Sequence, residues 1–206
     1  MNRRYLALLT LASLLFLASC GGAVRPSKYY TIDLPAASPA GTGAYNVSLL
    51  VGRITTPELY RDDRIVYRTG SAELGAYEYH RWAQPPAAML EAMLLRMARA
   101  SGKFSSVQEQ ASNTQGDFIL RGRLHNFEEI DQPSLGARVV LELELYDRSS
   151  GTVVWTHFYN HDEPVTASGK NVEVTAVVEA FNRNVRRGLD ECLASLDSWF
   201  AAHPKK

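Results

Sequence analysis

The chain has 206 residues, 46% of them apolar, with 22 basic and 22 acidic side chains and no formal net charge. That is enough apolar material for one packed core, and the length suits one domain rather than two. The even balance of charge argues against a nucleic-acid surface, which requires a basic excess.

The first element is a leader. Arg3 and Arg4 precede an apolar run from Tyr5 to Leu17, which passes into Leu17-Ala18-Ser19-Cys20. A basic start before a short apolar stretch has the layout of a secretory signal. The run falls short of the roughly 20 residues that span a bilayer, and no Ala-x-Ala-like cleavage site follows it. Leu-Ala-Ser-Cys resembles the lipobox of bacterial lipoproteins. There the chain is cut before the cysteine, the thiol carries a diacylglycerol and the new amine is acylated. Residues 1–19 are therefore expected to be a signal peptide and Cys20 the lipidation site. The diacylglycerol and N-acyl chain are the covalent groups expected, with no other cofactor. One chain holds a protein only marginally on a bilayer, whereas two or three hold it stably. Gly21, in place of an Asp, favours the periplasmic face of the outer membrane by the rule for Gram-negative lipoproteins.

Residues 20–44 are rich in Gly, Ala, Ser and Pro and read as a lipid-anchored tether. Lys28 to Leu34 within it is apolar enough for a short strand or a docked segment. Residues 45–202 read as a single domain and 203–206 as a tail. Tyr45 to Ile54 alternates as a strand and is broken at Thr56-Pro57. Arg64 to Arg68 and Glu73 to Tyr79 are two further short strands. Pro85-Pro86 opens a helix, since proline is tolerated where the first amides lack partners anyway. Leu90, Met93, Leu94 and Met97 recur along it at helical spacing, and Gly102 stops it. Phe104 to Val107 is short and extended, and Asn113 to Gly116 is a turn. Phe118–Ile130, Ala137–Tyr146 and Thr152–Asn160 alternate with short links and form a meander. From about Val172 to Ala202 an apolar stripe runs through Val174, Val178, Phe181, Val185, Leu189, Cys192, Leu196 and Trp199, with Asn171 as a candidate cap. Cys192 lies on that stripe and reads as a small buried hydrophobe. The fold expected is α+β: a mixed, largely antiparallel sheet with a C-terminal three-strand meander, covered on one face by two helices.

No sequence motif of a hydrolase, metalloprotease, nucleotide-binding loop or redox dithiol is present, so no catalytic residue is assigned. His157 and His161 are the best metal candidates. On a strand they lie about 13 Å apart, given a rise of roughly 3.3 Å per residue. Such a pair cannot share a zinc ion without a bend at Asn160, and no metal site is assigned. Glu128 and Glu129 point to opposite faces of a strand, and the default reading is a solvated strand end. Two blocks are denser in interface-type residues. The first is Pro57-Glu58-Leu59-Tyr60-Arg61-Asp62-Asp63-Arg64-Ile65-Val66-Tyr67-Arg68. The second is Tyr77-Glu78-Tyr79-His80-Arg81-Trp82-Ala83-Gln84-Pro85-Pro86. Leu59, Tyr60, Arg61, Asp62, Arg64, Tyr67, Arg68, Arg81 and Trp82 are the candidate partner-binding residues. The competing reading is a loop pinned by salt bridges, with Trp82 stapling the helix start.

The lipobox, Tyr29-Tyr30-Thr31 and the two blocks, in this order, resemble the ABC-type transport auxiliary lipoprotein family over nearly the whole mature chain. The resemblance implies a non-enzymatic lipoprotein of the outer membrane. It would dock the Mce-domain periplasmic protein of an ABC transporter and assist lipid passage between membranes. Lipid itself and further copies of the chain are the other candidate partners; nucleic acid is not. The alternative is a structural or assembly lipoprotein of another outer-membrane export or secretion machine. A third class is an envelope hydrolase with a dispersed catalytic set.

Overall fold

The computed structural model describes residues 25–33, 43–110, 115–166 and 173–204. Cys20, Leu34, Asn171 and Val172 lie outside them. In chain order the elements are β1 (Lys28–Tyr30), β2 (Tyr45–Thr55), a 3₁₀ turn (Glu58–Tyr60), β3 (Arg64–Thr69), β4 (Glu73–Trp82), α1 (Pro86–Ala100), β5 (Phe104–Glu109), β6 (Phe118–Ile130), β7 (Gly136–Asp147), β8 (Thr152–Pro164) and α2 (Val174–Ala202).

β6, β7 and β8 form the predicted meander, antiparallel over most of their length. The other edge of β6 is shared by two branches. Its first half pairs in parallel with β2, which carries β5. Its second half pairs in parallel with β3, which carries β4 and then β1. The result is one mixed sheet of eight strands that does not close. The observed α+β class and the C-terminal meander match the expectation from periodicity.

Alternation explains which face is covered. Phe118, Leu120 and Leu124 of β6 and Ala137, Val139, Leu141, Leu143 and Leu145 of β7 are buried on one side. Their strand neighbours Arg121, Arg138, Glu142 and Glu144 are half-buried and paired on the other. α1 packs on β2 and β5, α2 on β7 and β8, and the two helices touch. Leu90, Met93 and Leu94 of α1 and Phe181, Val185, Leu189, Cys192 and Leu196 of α2 are almost wholly enclosed. Burying each large side chain contributes roughly 1.5–3 kcal/mol, so this face carries most of the driving force. The methionines of α1 belong to that core rather than to an open groove. Burial pushes the Cys192 thiol up to about 12, which keeps it protonated and unreactive.

Length matching lets α2 cover the meander. Its 29 residues span about 43 Å at 1.5 Å each, and the 13 residues of β8 span about the same distance. Asn184, in the helix centre and fully buried, donates to the carbonyls of Ala137 at 2.7 Å and His161 at 2.9 Å, and accepts from the Tyr159 hydroxyl at 2.6 Å. Periodicity placed an apolar residue on either side of Asn184 but gave no reason to bury the amide itself.

The C-terminal end of α2 is tied to the β5 branch by charge. Asp197 accepts from Lys103 at 2.6 Å and from the Tyr45 hydroxyl at 2.6 Å. These two bonds hold its carboxyl below the usual carboxylate range. A carboxylate depressed on folding stabilises the native state above its unfolded pKa, and that contribution fades as pH falls through the folded value. Thermal unfolding measured between about pH 5 and pH 3 is therefore expected to show a smaller acid-induced drop in Tm for Asp197→Asn than for the unmodified protein. Equal drops would show that this pair does not contribute to acid sensitivity.

Candidate docking surface

The two motif blocks meet in space, and their meeting point is built on a buried carboxylate. After Pro57 the chain makes one 3₁₀ turn, with Tyr60 N–H bonded to Pro57 O at 3.0 Å and Arg61 N–H to Glu58 O at 3.1 Å. This turn drives Tyr60 inward, to 4% exposure. Its hydroxyl donates to Glu128 Oε2 at 2.5 Å. Parallel pairing of β3 with β6 sets Val66 beside Glu128, which puts Arg68, two residues on, over the same carboxylate. Arg68 donates from Nε at 2.7 Å and from Nη2 at 3.1 Å, and Asn126 adds Nδ2 at 3.3 Å. A fully enclosed charge is tolerated only when it is paired and bonded in this way. Burial, and then the bond to Glu128, push the Tyr60 phenol far above its ordinary value.

This corrects the reading of Glu128 as a solvated strand end: it is fully buried. Its neighbour Glu129 is half-buried on the opposite face. There it accepts from Tyr77 at 2.9 Å, and burial raises its carboxyl despite that bond.

Above the buried brace lies an exposed charged rim. Arg61 pairs with Glu58 one turn back. Arg64 Nε bonds Asp62 at 2.7 Å. Arg81 Nη1 lies 2.6 Å from Asp63 and 3.9 Å from Asp62. The bonds it shares with Asp63 and then with Arg64 hold the Asp62 carboxyl below its ordinary value. β3 and β4 bring the two blocks together: Arg64 stands opposite Arg81 in register, and Trp82 N–H bonds Asp63 O at 2.5 Å. Between that pair and Val66↔Ala76, β4 carries three more residues than β3. This bulge is where Tyr77, Tyr79 and His80 leave a regular ladder.

The nine candidate residues thus separate into two layers. Leu59, Arg61, Asp62 and Arg64 are exposed or nearly so, and Arg81 is half-buried beside them. Tyr60 and Arg68 form the brace underneath. Trp82 is fully enclosed, edge-on to Phe127 and Phe181 at ring distances of 5.4 and 5.2 Å. Trp82 consequently offers no side-chain surface to a partner as the chain is folded and Tyr60 almost none, and their assignment as contact residues is corrected to that of supports. Tyr67 points to the face opposite Arg68, against the Tyr77 ring at 5.1 Å. It lies over Gly75, where a Cβ would come within 2.4 Å of the Tyr67 ring.

Sequence reasoning missed Glu128 and Asn126 as members of this unit. They stand more than 60 residues from Tyr60, and no local pattern links them.

A second concavity, of about 930 Å³, opens where β2 runs past the end of β5 beneath α1. Its carboxylates are engaged: Glu91 accepts from Ile54 N–H at 2.6 Å, Glu144 from Arg121 at 2.5 Å, and Glu142 faces His125 at 3.1 Å. A general acid–base pair would need carboxylates that converge on a substrate, whereas these are spent on neighbouring groups. β8 runs unbroken through Asn160, so the bend that could have joined His157 to His161 is not there. His161 instead meets Arg187 at 2.5 Å. No group of three or more potential ligands capable of holding a metal occurs among the described residues.

Two of the similar solved structures share this fold. A Xanthomonas campestris protein of family DUF330 superposes with a TM-score of 0.71 at 22% identity, covering 84% of this chain and 99% of its own. An uncharacterized protein superposes at 0.64 with 13% identity and the same coverage. The PelC dodecamer of Paraburkholderia phytofirmans is more distant, with a TM-score of 0.42 at 16% identity over 74% of this chain and 92% of its own. No curated protein sequence matches the chain. The family model for the ABC-type transport auxiliary lipoprotein component matches residues 30–189, which takes in both motif blocks, the whole sheet from β2 onward and the first half of α2. The chain therefore belongs to the ABC-type transport auxiliary lipoprotein component family.

Proposed function

We propose that this protein is a lipid-anchored periplasmic adaptor that docks the Mce-domain component of an ABC transporter and so assists lipid transfer between membranes. In this reading Cys20 carries the diacylglycerol and N-acyl chain, and the anchor lies in the outer membrane with the domain on its periplasmic face. The adaptor binds and positions; it needs no cofactor and carries out no bond-making step.

The observation that carries the reading is the docking rim itself. Leu59, Arg61, Asp62 and Arg64 stand on the surface of a loop held rigid by the buried Tyr60–Glu128–Arg68 unit. A preorganised loop loses little conformational freedom on binding, which favours affinity. Arginine is also among the residue types that dominate interface hot spots. The family supplies the kind of machine, an ABC transport system.

A photo-crosslinking amino acid placed at Leu59 in intact envelopes tests this. The expected adduct contains the Mce-domain protein and disappears when Arg61 and Arg64 are both reversed to Glu. An adduct with an outer-membrane export or secretion channel would instead support an assembly role in that machine and overturn the Mce reading. Cys20→Ser is expected to leave the protein soluble and to lose the adduct.

A further inference from the structure

We propose that the β1 edge is a bilayer-contact surface: Arg25, Lys28 and Tyr29, together with Tyr79 of β4, seat the domain against anionic phospholipid headgroups beside its own lipid anchor. The proposal rests on the acylation of Cys20 put forward above.

Reach comes first. Arg25 is five residue steps along the chain from Cys20, and a fully extended chain covers at most about 3.6 Å per step. Arg25 therefore lies no more than about 18 Å from the acylated cysteine in any conformation of the tether. Among the described residues this edge is the part of the body closest along the chain to the membrane.

Its chemistry suits that position. Tyr29 is 64% exposed, the most exposed of the large hydrophobic residues described. The parallel register sets Tyr29 beside Arg81 and Tyr30 beside Trp82. Tyr30 and Trp82 face the core side, so Tyr29 and Arg81 project to the opposite side, while Lys28, in line with Tyr30, stands exposed on the other side of the same edge strand. The Arg25 guanidinium lies over the Tyr79 ring, 5.5 Å from its centre. Lys28 forms no ion pair with a described residue. Arg25 and Lys28 place two positive charges near His80, which burial and then those charges lower; on the same edge Glu78 accepts from the Tyr79 hydroxyl. Tyrosine and long basic side chains are the types that place an apolar body at the interface and a polar tip in water.

Partner-strand addition to β1 is the competing use of an exposed edge. Pro26, which lacks an amide hydrogen, stands two residues before β1 and ends the ladder there. Acyl chains together with basic residues at an anionic surface form a two-signal anchor. Here the second signal fixes orientation, because a single point of covalent attachment does not by itself set the angle of the body to the bilayer. It also brings the Arg81–Asp63 end of the docking rim close to the membrane plane, since Arg81 borders Tyr29.

The test uses the full lipidated protein in vesicles of phosphatidylethanolamine with about one-third phosphatidylglycerol. A nitroxide is placed through Ser27→Cys or, as a distant control, through Asp190→Cys on the exposed side of α2. Cys192 is 1% exposed and escapes labelling. Collisional relaxation by a water-soluble nickel complex reads which label is shielded. The label at 27 is expected to be shielded and the label at 190 open. Arg25→Glu combined with Lys28→Glu is expected to restore accessibility at 27 while the protein still floats with the vesicles, since two basic side chains at an anionic surface shift the docked population about 30-fold. Equal accessibility at 27 and 190 in protein that floats would overturn the membrane contact and leave the anchor standing. Protein that fails to float would overturn the acylation of Cys20, and this proposal with it.

Discussion

Glu128→Ala is expected to lower the free energy of unfolding by about 3 kcal/mol, because removing one member of a buried charged set strands the others. Three groups lose their acceptor at once. The Tyr60 hydroxyl is left in a side chain only 4% exposed, Arg68 keeps a guanidinium whose side chain is 18% exposed, and Asn126 loses one bond. Glu128→Gln preserves shape and some bonding and is expected to cost about half as much, while Tyr60→Phe should cost about 1 kcal/mol, the typical net worth of one hydrogen bond. Urea unfolding checks the series, with the midpoint falling and the slope unchanged. A Glu128→Ala midpoint within error of the unmodified protein would show that the brace is not a stability element. Because the charged rim sits on this brace, the same variant is also expected to increase hydrogen exchange at the amides of Tyr60 and Arg61, whose acceptors are Pro57 and Glu58.

The second large effect separates folding from capture within one motif. Trp82→Ala removes the ring between Phe127 and Phe181 and is expected to destabilise the domain by about 3–5 kcal/mol, the usual cost of truncating an enclosed aromatic. For a domain of this size that is a large fraction of total stability. Arg61→Glu together with Arg64→Glu acts on side chains that are 65% and 46% exposed. Its cost in stability is expected to be about 0.5 kcal/mol or less. Its cost in capture of the periplasmic partner is expected to be tenfold or more, the range of interface hot spots. Melting temperature and pull-down measured side by side check both variants. The outcome that would reverse the assignment is a Trp82→Ala protein that melts normally but fails to capture, alongside a charge-reversed protein that captures normally.

Much of the fold was legible from local pattern. Period-two alternation identified β6, β7 and β8, and the boundaries read for Phe118–Ile130 are those observed. Helical spacing identified both helices, and Pro85-Pro86 and Gly102 marked the ends of α1 correctly: Pro86 is its first residue and Gly102 takes a positive φ of 61° just beyond it. β4 was read as ending at Tyr79 and in fact continues to Trp82. Its last residues pair with β1, a contact between segments about 50 residues apart that local propensity could not reveal.

The candidate docking surface was only half legible. Residue types pointed to two blocks, and those blocks do converge. Which members stay on the surface was not readable, because Tyr, Trp and Arg serve equally in an interface and in a core. Tyr60 and Trp82 went inward because each found a distant partner: Glu128 for the hydroxyl, Phe127 and Phe181 for the indole. Leu59 and Arg61, flanking Tyr60, stayed outside because a single 3₁₀ turn directs successive side chains to different sides.

What the sequence by itself determined was what is governed by neighbours along the chain: the alternation of the meander, the stripes of the two helices and the absence of a local catalytic motif. What only the tertiary structure decided was the fate of polar groups whose partners are remote in sequence. Glu128 became a buried brace and Asn184 a buried bridge between α2 and two strand carbonyls. The physical reason is that apolar burial follows a period that one segment can display alone, whereas satisfying a buried charge or amide depends on which other segments the fold brings within about 3 Å.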